Sequence, residues 1–353
     1  MKPLKSAVIG GGAGGNLSMD ALVASEFFEL VAMADIDEAA RKKAEKNYPG
    51  IKTYESAEAL FKDCPIEMAC ISTFPPSHEE ITMAALALPL QGILVEKPLG
   101  HTAKSGQRIL SAVKAKKIPM AVPHGSLVLE TPMKVKELIK TGAIGNLRLV
   151  EIEFDKWDII NAGIHWINLF LYFVENEPLD YVMAICEGST RTYRDGMQVE
   201  TTAVTYAQTK SGIRLVMNCG DDIPINADSE GPPTLFRLVG SKGIIEFHGW
   251  GSGYRILNKE HPDFDFIEVE PLAIKGHRAH LENMYKMIGN EPDYSVAESS
   301  LTALEVCEAA YLSSKHQCKV TFPFVDFVLP NQEDWEMGIP YTGTDGGRDG
   351  RFL

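Results

Sequence analysis

The stretch Ser6-Ala7-Val8-Ile9-Gly10-Gly11-Gly12-Ala13-Gly14-Gly15 decides how this 353-residue chain is read. Ser6–Ile9 is short, apolar and rich in β-branched residues, which predicts a buried strand. The strand runs straight into glycines, and Asn16–Ala24 follows with helical spacing. The glycines fit G-x-G-x-x-G, with Gly10, Gly12 and Gly15 in the three glycine positions. Gly10 permits a tight turn, Gly12 lets backbone approach a pyrophosphate, and Gly15 lets helix and strand pack closely. Free N–H groups at the helix start, at Ala13 and Gly14, would face the phosphates. A glycine-rich turn with no ligand is the plainer alternative. The strand–glycine–helix context favours a dinucleotide.

Outward from this loop, strands and helices alternate. Leu30–Ala34 is a second apolar strand, ended by Asp35 and Ile36, and Asp37–Tyr48 is a charged helix. Met68–Ile71, Gly92–Val95 and Pro119–Val122 read as buried strands, with Ser77–Leu86 and Ala103–Ala115 as helices between them. Such alternation predicts right-handed crossovers and a doubly wound parallel sheet over residues 1–123. Asp35 lies twenty residues after Gly15, where a carboxylate can accept hydrogen bonds from ribose hydroxyls and repel a 2′-phosphate. NAD is therefore expected over NADP. Asp37 reads equally well as a helix N-cap, and Arg41, Lys42 and Lys43 as a solvated helix face.

The pattern changes near residue 123. A helix over Thr131–Thr141 precedes longer, alternating strands at Leu147–Phe154, Tyr181–Cys186, Thr201–Thr209, Ile213–Asn218, Leu235–Val239 and Gly243–Phe247. Lys210-Ser211-Gly212 and Gly240-Ser241-Lys242-Gly243 look like hairpin links. The fold class expected is α/β: an N-terminal Rossmann domain, then a domain over 124–330 with a large, mostly antiparallel open sheet. Helices at Asn161–Phe173, His280–Ile288 and Val296–Ser314 accompany that sheet, and residues 331–353 form a C-terminal extension.

Composition narrows the partners. Lys plus Arg total 34 against 48 Asp plus Glu, a net charge of −14, which argues against nucleic acid and anionic membrane surfaces. The longest apolar candidate, Gly163–Val174, is too short to cross a bilayer and carries His165 and Asn168. The six cysteines contain no C-x-x-C pair, and only Met1–Lys5 precede the first strand, so a cytoplasmic protein with reduced thiols is expected.

Three further segments carry chemistry. Glu96-Lys97-Pro98 follows the strand Gly92–Val95, and carboxyl ends of parallel strands are where ligands bind. An ammonium there can hydrogen-bond a substrate oxygen and exchange a proton, although a surface lysine at a strand end is the simpler reading. Asn161, His165 and Asn168 fall at i, i+4 and i+7, one polar stripe on an apolar helix. Burying three polar side chains is costly without partners or a ligand, and imidazole suits proton transfer near neutrality. Thr73-Phe74-Pro75-Pro76-Ser77-His78 sits at another strand end, where Thr73, Pro75 and His78 could line the dinucleotide, or Ser77 could simply cap a helix. His124, His165, His277 and His280 lack any zinc-site spacing, so no metal is expected.

Together these residues resemble the glucose–fructose oxidoreductase/inositol dehydrogenase (Gfo/Idh/MocA) family. The landmarks are A-V-I-G-G-G-A-G-G at 7–15, A-D-I-D at 34–37, S-T-F-P-P-S-H at 72–78 and V-E-K-P-L at 95–99. K-E-L-I-K-T-G-A-I-G at 136–145, N-A-G-I-H-W-I-N at 161–168 and L-V-G-S-K-G-I-I-E at 238–246 follow in order. The resemblance covers about residues 5 to 322. It implies NAD(P)-linked hydride transfer to or from sugars, inositols or related polyols, by a homodimer or homotetramer joined through the open sheet. The family lysine falls on Lys97 and the family histidine on His165, as a hydrogen-bond donor and a general base on the same substrate oxygen. The family aspartate falls on Asn161, which cannot take a proton as a carboxylate does. His165 would then act alone, or with Asp158 or another group as its partner. Asn161, Asn168, Asp158, Trp157 and His124 are the expected substrate contacts. The cofactor contacts expected are Gly10, Gly12, Ala13, Gly14, Gly15, Asp35, Ile36, Thr73, Pro75, His78, Glu96 and Lys97. Two other activities keep the same fold: a redox-assisted lyase or glycosidase with tightly held NAD, and a non-catalytic dinucleotide sensor.

Overall fold

A computed structural model of the chain describes residues 2–221, 223, 225, 234–323, 336–344 and 346–350. The chain divides into two compact units, Met1–His124 with Ile274–Leu301, and Gly125–Ala273 with Thr302–Leu353.

The first unit carries β1 (Leu4–Ile9), α1 (Ala13–Val23), β2 (Phe28–Ala34), α2 (Glu38–Asn47), β3 (Lys52–Tyr54) and α3 (Ala57–Asp63). Next come β4 (Met68–Ile71), α4 (Pro75–Ala85), β5 (Gly92–Val95), α5 (Ala103–Lys116) and β6 (Met120–Ala121). The six strands are all parallel, in the order β3-β2-β1-β4-β5-β6. The order reverses between β1 and β4, which places a switch-point crevice beyond their carboxyl ends. β1, β4 and β5 are continuous apolar runs because both sheet faces are covered, so no alternation survives in them. Lys52–Tyr54 and Ala57–Asp63 give no such apolar run, and sequence reading passes over them.

The second unit carries α6 (Glu130–Lys140), β7 (Leu147–Asp155), α7 (Ile164–Phe173), β8 (Leu179–Glu187), β9 (Thr192–Arg194), β10 (Met197–Val199), β11 (Thr202–Thr209) and β12 (Arg214–Gly220). It continues with β13 (Thr234–Gly240), β14 (Ile244–His248), β15 (Gly253–Leu257) and β16 (Asp265–Glu268). The helix α8 (Gly276–Lys286) belongs to the first unit, and α9 (Ser295–His316) starts there and continues into the second, which ends with β17 (Val320–Thr321). Nine strands form one sheet in the order β16-β15-β14-β13-β7-β12-β11-β8-β17. Every pairing is antiparallel except β7 with β12. Both expected hairpin links are present, β11–β12 and β13–β14. One face is buried: Val150, Ile152 and Phe154 of β7 and Met217 of β12 pack with Ile167, Phe170 and Phe173 of α7 and with α9.

Two boundaries differ from the sequence reading. His124 closes the first unit instead of opening the second, and Ile274–Leu301 returns to the first unit. The reason is apolar: Leu281 and Met284 of α8 join the core under α1, and Tyr285 stacks on Phe27 at 4.6 Å between ring centroids. Of the expected extension 331–353, the residues 331–335, 345 and 351–353 lie outside the described residues.

Candidate functional site

In the first unit the expected cofactor residues gather at the carboxyl edge of the parallel sheet. Gly10 has φ +99°, and a Cβ on it would lie 2.3 Å from the Ser72 carbonyl oxygen, so only glycine fits. Gly15 lies so close to Gly10 that a side chain would meet its carbonyl. Gly12 is the opposite case, exposed and with nothing within 4 Å of where a Cβ would sit. It is also the N-cap of α1, with no side chain closing the helix end, and Ala13 beside it is exposed. The Asn16 side-chain amide donates to Gly11 O at 2.8 Å and holds the loop in shape. An open, amide-lined helix start with a glycine at the point of approach fits the pyrophosphate of a dinucleotide.

Asp35 ends β2 and its carboxylate is already placed. Oδ2 accepts from Gly11 N at 2.6 Å and Oδ1 from Asp37 N at 2.7 Å. Ile36 follows with 89% of its surface exposed, a bare apolar face beside a polar loop. Asp37 is the N-cap of α2, accepting from Ala39 N. Arg41 departs from the solvated-face expectation. Its Nη1 donates to Asp35 O at 2.7 Å and Ile36 O at 3.2 Å, which brings a guanidinium to the end of β2. Lys42 does face solvent, in an exposed i,i+4 pair with Glu38.

Beyond β4, Thr73 is half-buried and Phe74 exposed, while Pro75 begins α4 as its first residue. Ser77 is therefore not the N-cap; its hydroxyl reaches Thr73 Oγ1 at 2.8 Å from inside the first turn. His78 is fully buried and offers a ligand no surface. Its ring nitrogens lie 3.0 Å from Pro98 O and 2.9 Å from Thr73 O, tying the loops after β4 and β5 together. Burial lowers its pKa below the ordinary value, so it is a neutral brace and not the cofactor contact expected of it.

Glu96 and Lys97 end β5. Glu96 is buried, and a Cβ on Gly14 would lie 2.8 Å from its Oε1, so the carboxylate sits directly under the nucleotide loop. Burial alone would raise its pKa, but a 2.6 Å hydrogen bond from His277, with the His277 and Lys97 charges, offsets this and leaves it below the ordinary value. His277 stands at the start of α8, 181 residues away in the chain, and sequence spacing gave it no role. Lys97 is half-buried, next to this hydrogen-bonded pair. His124 lies wholly inside the unit: Nε2 meets Ser300 Oγ at 2.8 Å, and its carbonyl oxygen is 3.0 Å from His280 Nε2. Burial, then the His280 and Lys97 charges, hold His124 well below its usual pKa. It is a buried residue of this unit, with no exposed surface.

In the second unit, Asp158, Asn161, His165 and Asn168 come together on one turn and helix. The turn is not the start of a regular helix as expected: Ile159–Gly163 forms one π-type turn before α7. Asp158 caps it, with Oδ1 accepting from Asn161 N at 2.7 Å and Asn161 Nδ2 at 3.0 Å. Its Oδ2 accepts from Arg194 Nη1 at 3.1 Å. Asp158 thus links the turn to Arg194 through its two carboxylate oxygens. Asn161 and Asn168 are buried, and Trp157 lies flat on the Arg194 guanidinium at 3.8 Å. His165 is half-buried, with its ring centroid 6.2 Å from that of Trp166 and 6.4 Å from that of Trp250. Trp250 is 47% exposed, an aromatic on the glycine-flanked turn Gly249-Trp250-Gly251 that sequence reading missed. Among the described residues no group of three or more His, Cys, Asp or Glu side chains could hold a metal ion.

The comparisons with known proteins agree with this geometry. Residues 4–124 match the family described as "Oxidoreductase family, NAD-binding Rossmann fold", Gfo/Idh/MocA. The chain is 23% identical to the rhizopine catabolism protein MocA of Rhizobium meliloti over 327 residues, covering 88% of this chain and 95% of that one. It is 24% identical to the mouse trans-1,2-dihydrobenzene-1,2-diol dehydrogenase over 318 residues, covering 83% and 89%. Among solved structures, one named as an NADPH-dependent oxidoreductase, from Desulfitobacterium hafniense, superposes with a TM-score of 0.77 at 20% identity, covering 91% of this chain and 98% of that one. GenD2 from gentamicin A biosynthesis, solved with NAD, gives 0.76 at 18% identity, covering 91% and 97%. Residues 4–124 carry the NAD-binding Rossmann fold of the Gfo/Idh/MocA oxidoreductases, and the chain resembles members of that family along most of its length.

Proposed function

We propose that the protein is an NAD-linked dehydrogenase or reductase acting on the CH–OH or C=O group of a sugar, inositol or related polyol. The observation that carries this reading is the setting of Lys97: a half-buried ammonium at a strand end, beside a buried Glu96–His277 pair that lies under Gly14. A bound nicotinamide supplies the hydride acceptor or donor. Lys97 hydrogen-bonds the substrate oxygen and stabilises the negative charge that develops on it. His165 takes the hydroxyl proton during oxidation and returns it during reduction. Trp250, exposed beside His165, offers a flat apolar face to the C–H side of a sugar ring. The names of the relatives support the substrate class, since one is a diol dehydrogenase and one structural neighbour comes from gentamicin A biosynthesis.

Asp35 supports NAD over NADP, although Arg41 supplies a guanidinium at the same strand end. A homo-oligomer is the expected assembly, a small molecule the expected ligand, and nucleic acid or membrane no part of either. A cytoplasmic location fits six free thiols, and among the described residues no helix is long and apolar enough to cross a membrane. The test is to supply the purified protein with NAD⁺ or NADP⁺ and a panel of sugars, inositols and vicinal diols, and to follow reduced cofactor. Turnover on at least one of these, faster with NAD⁺, is expected. Cofactor that binds without turnover in either direction would support the sensor reading. NAD retained through purification, with substrate cleaved and no net NADH, would support the lyase.

A further inference from the structure

The second unit ends in a strap that reaches back to the candidate substrate turn through one buried arginine. β9 and β10 form a two-stranded hairpin closed by Asp195-Gly196, both at positive φ. Residues 336–344 and 346–350 run around this hairpin. On the β10 side, Gln198 N donates to Ile339 O at 2.9 Å, Gly338 N to Gln198 O at 2.7 Å and Tyr341 N to Gly196 O at 2.7 Å. On the β9 side, Asp195 N donates to Arg348 O at 2.9 Å and Gly350 N to Tyr193 O at 3.1 Å. Tyr193 stacks on Tyr341 with centroids 4.1 Å apart, and its hydroxyl donates to Gly346 O at 2.8 Å.

Arg194 joins this strap to the turn. It is fully buried, so each of its N–H groups needs an acceptor. Nε and Nη2 donate to Asp349 Oδ2, Nη1 donates to Asp158 Oδ2 at 3.1 Å, and the guanidinium face rests on Trp157. Asp158 passes the contact on, because its other oxygen holds both the backbone and the side chain of Asn161, four residues before His165. The order is therefore Asp349, Arg194, Asp158, Asn161, each step a charge-assisted hydrogen bond. Removing Asp349 leaves Nε and part of Nη2 of a buried guanidinium without an acceptor. The guanidinium must then turn or draw in water, and its hold on Asp158 weakens.

We propose that Arg194 is a positioning residue for the substrate-binding turn Asp158–Gly163, and that the C-terminal strap, through Asp349, holds Arg194 in place. The proposal rests on the reading that this turn and His165 serve the substrate. Its test compares the full-length protein with Asp349→Asn, Asp349→Glu and Arg194→Lys, using hydrogen exchange of the amides at 159–163 together with steady-state kinetics. Asp349→Asn is expected to speed exchange at those amides about tenfold and to raise KM for the substrate about tenfold, with NAD affinity and exchange in β1 and β4 unchanged. Arg194→Lys should do the same, since one ammonium cannot fork to two carboxylates. Asp349→Glu should recover part of both losses. Exchange at 159–163 unchanged in Asp349→Asn would overturn the proposal. Faster exchange with an unchanged KM would leave the strap intact and overturn the assignment of the turn to substrate. Should the wild type turn over no polyol, exchange alone still decides whether the strap holds the turn.

Discussion

Asp35 and Arg41 meet at the end of β2 with opposite consequences. The carboxylate is aimed by two backbone amides, and the guanidinium is fastened to the carbonyls of residues 35 and 36. Asp35→Ala should weaken NAD binding by roughly tenfold and reduce discrimination against NADP; an unchanged ratio of the two affinities would remove Asp35 from ribose recognition. Arg41→Ala should lower whatever NADP binding remains and leave NAD nearly unaffected. His277 belongs to the same scale. Its donation keeps a buried Glu96 ionised below the ordinary carboxylate value, so the stabilisation it brings is present above the unfolded carboxylate pKa and is lost as pH falls through the lower folded one. His277→Ala removes the main partner of that buried carboxylate, leaving Lys97 beside it, and should cost about 3 kcal/mol at neutral pH, measured by denaturant unfolding. A loss under 1 kcal/mol would show that Glu96 finds solvent or another donor. The places of Gly10, Gly12, Gly15, Asp35 and Lys97 at or soon after the strand ends were legible in sequence because motif spacing encodes local backbone. His277 was not, because its partner lies 181 residues away and no local period records that meeting.

At the scale of elements, the turn before α7 is irregular and held by several side chains. Ile159 N donates to Glu200 Oε1 at 2.6 Å, and Tyr311 OH of α9 donates to Oε2 at 2.9 Å. Burial and the Asp158 charge push Glu200 up to about 7. A carboxyl raised in the folded state stabilises fully below its unfolded pKa, near 4.5, and that contribution fades as pH rises to about 7. Glu200→Gln keeps the shape and removes the titration. The variant should gain on the wild type by roughly 2–3 kcal/mol between pH 5 and pH 8; parallel stability curves across that range would show that folded Glu200 is ionised throughout, like the unfolded carboxyl. Periodicity led to a helix from Asn161 because the apolar residues around it suit either a helical or a π-type turn. The carboxylate that selects the π-type turn is Asp158, outside the periodic run. The β9–β10 hairpin carried a readable Asp195-Gly196 signal, but strands of three residues are too short to show alternation.

For the whole molecule, the alternation of short apolar runs with helices was enough to anticipate the parallel sheet, and the longer alternating strands the antiparallel one. The return of α8 to the first unit was hidden, because an amphipathic helix does not say which core it covers. The open face of the nine-stranded sheet carries exposed Met183, Ile185 and Val204, with Ile185 directly opposite Val204 on neighbouring strands. A second copy of the chain is the expected cover. Ile185→Lys should shift the mass measured by light scattering toward the monomer without changing the far-ultraviolet circular dichroism; a monomeric wild type, or an unshifted variant, would place assembly elsewhere.

Lys97, as proposed, performs chemistry on the substrate oxygen and contributes little to dinucleotide affinity. The most direct measurement pairs turnover with NAD titration in Lys97→Ala. A fall in kcat of about 100-fold or more, with NAD affinity within about threefold of the wild type, is the predicted result. Equal turnover in the variant, or a loss explained entirely by failure to bind NAD, would contradict it.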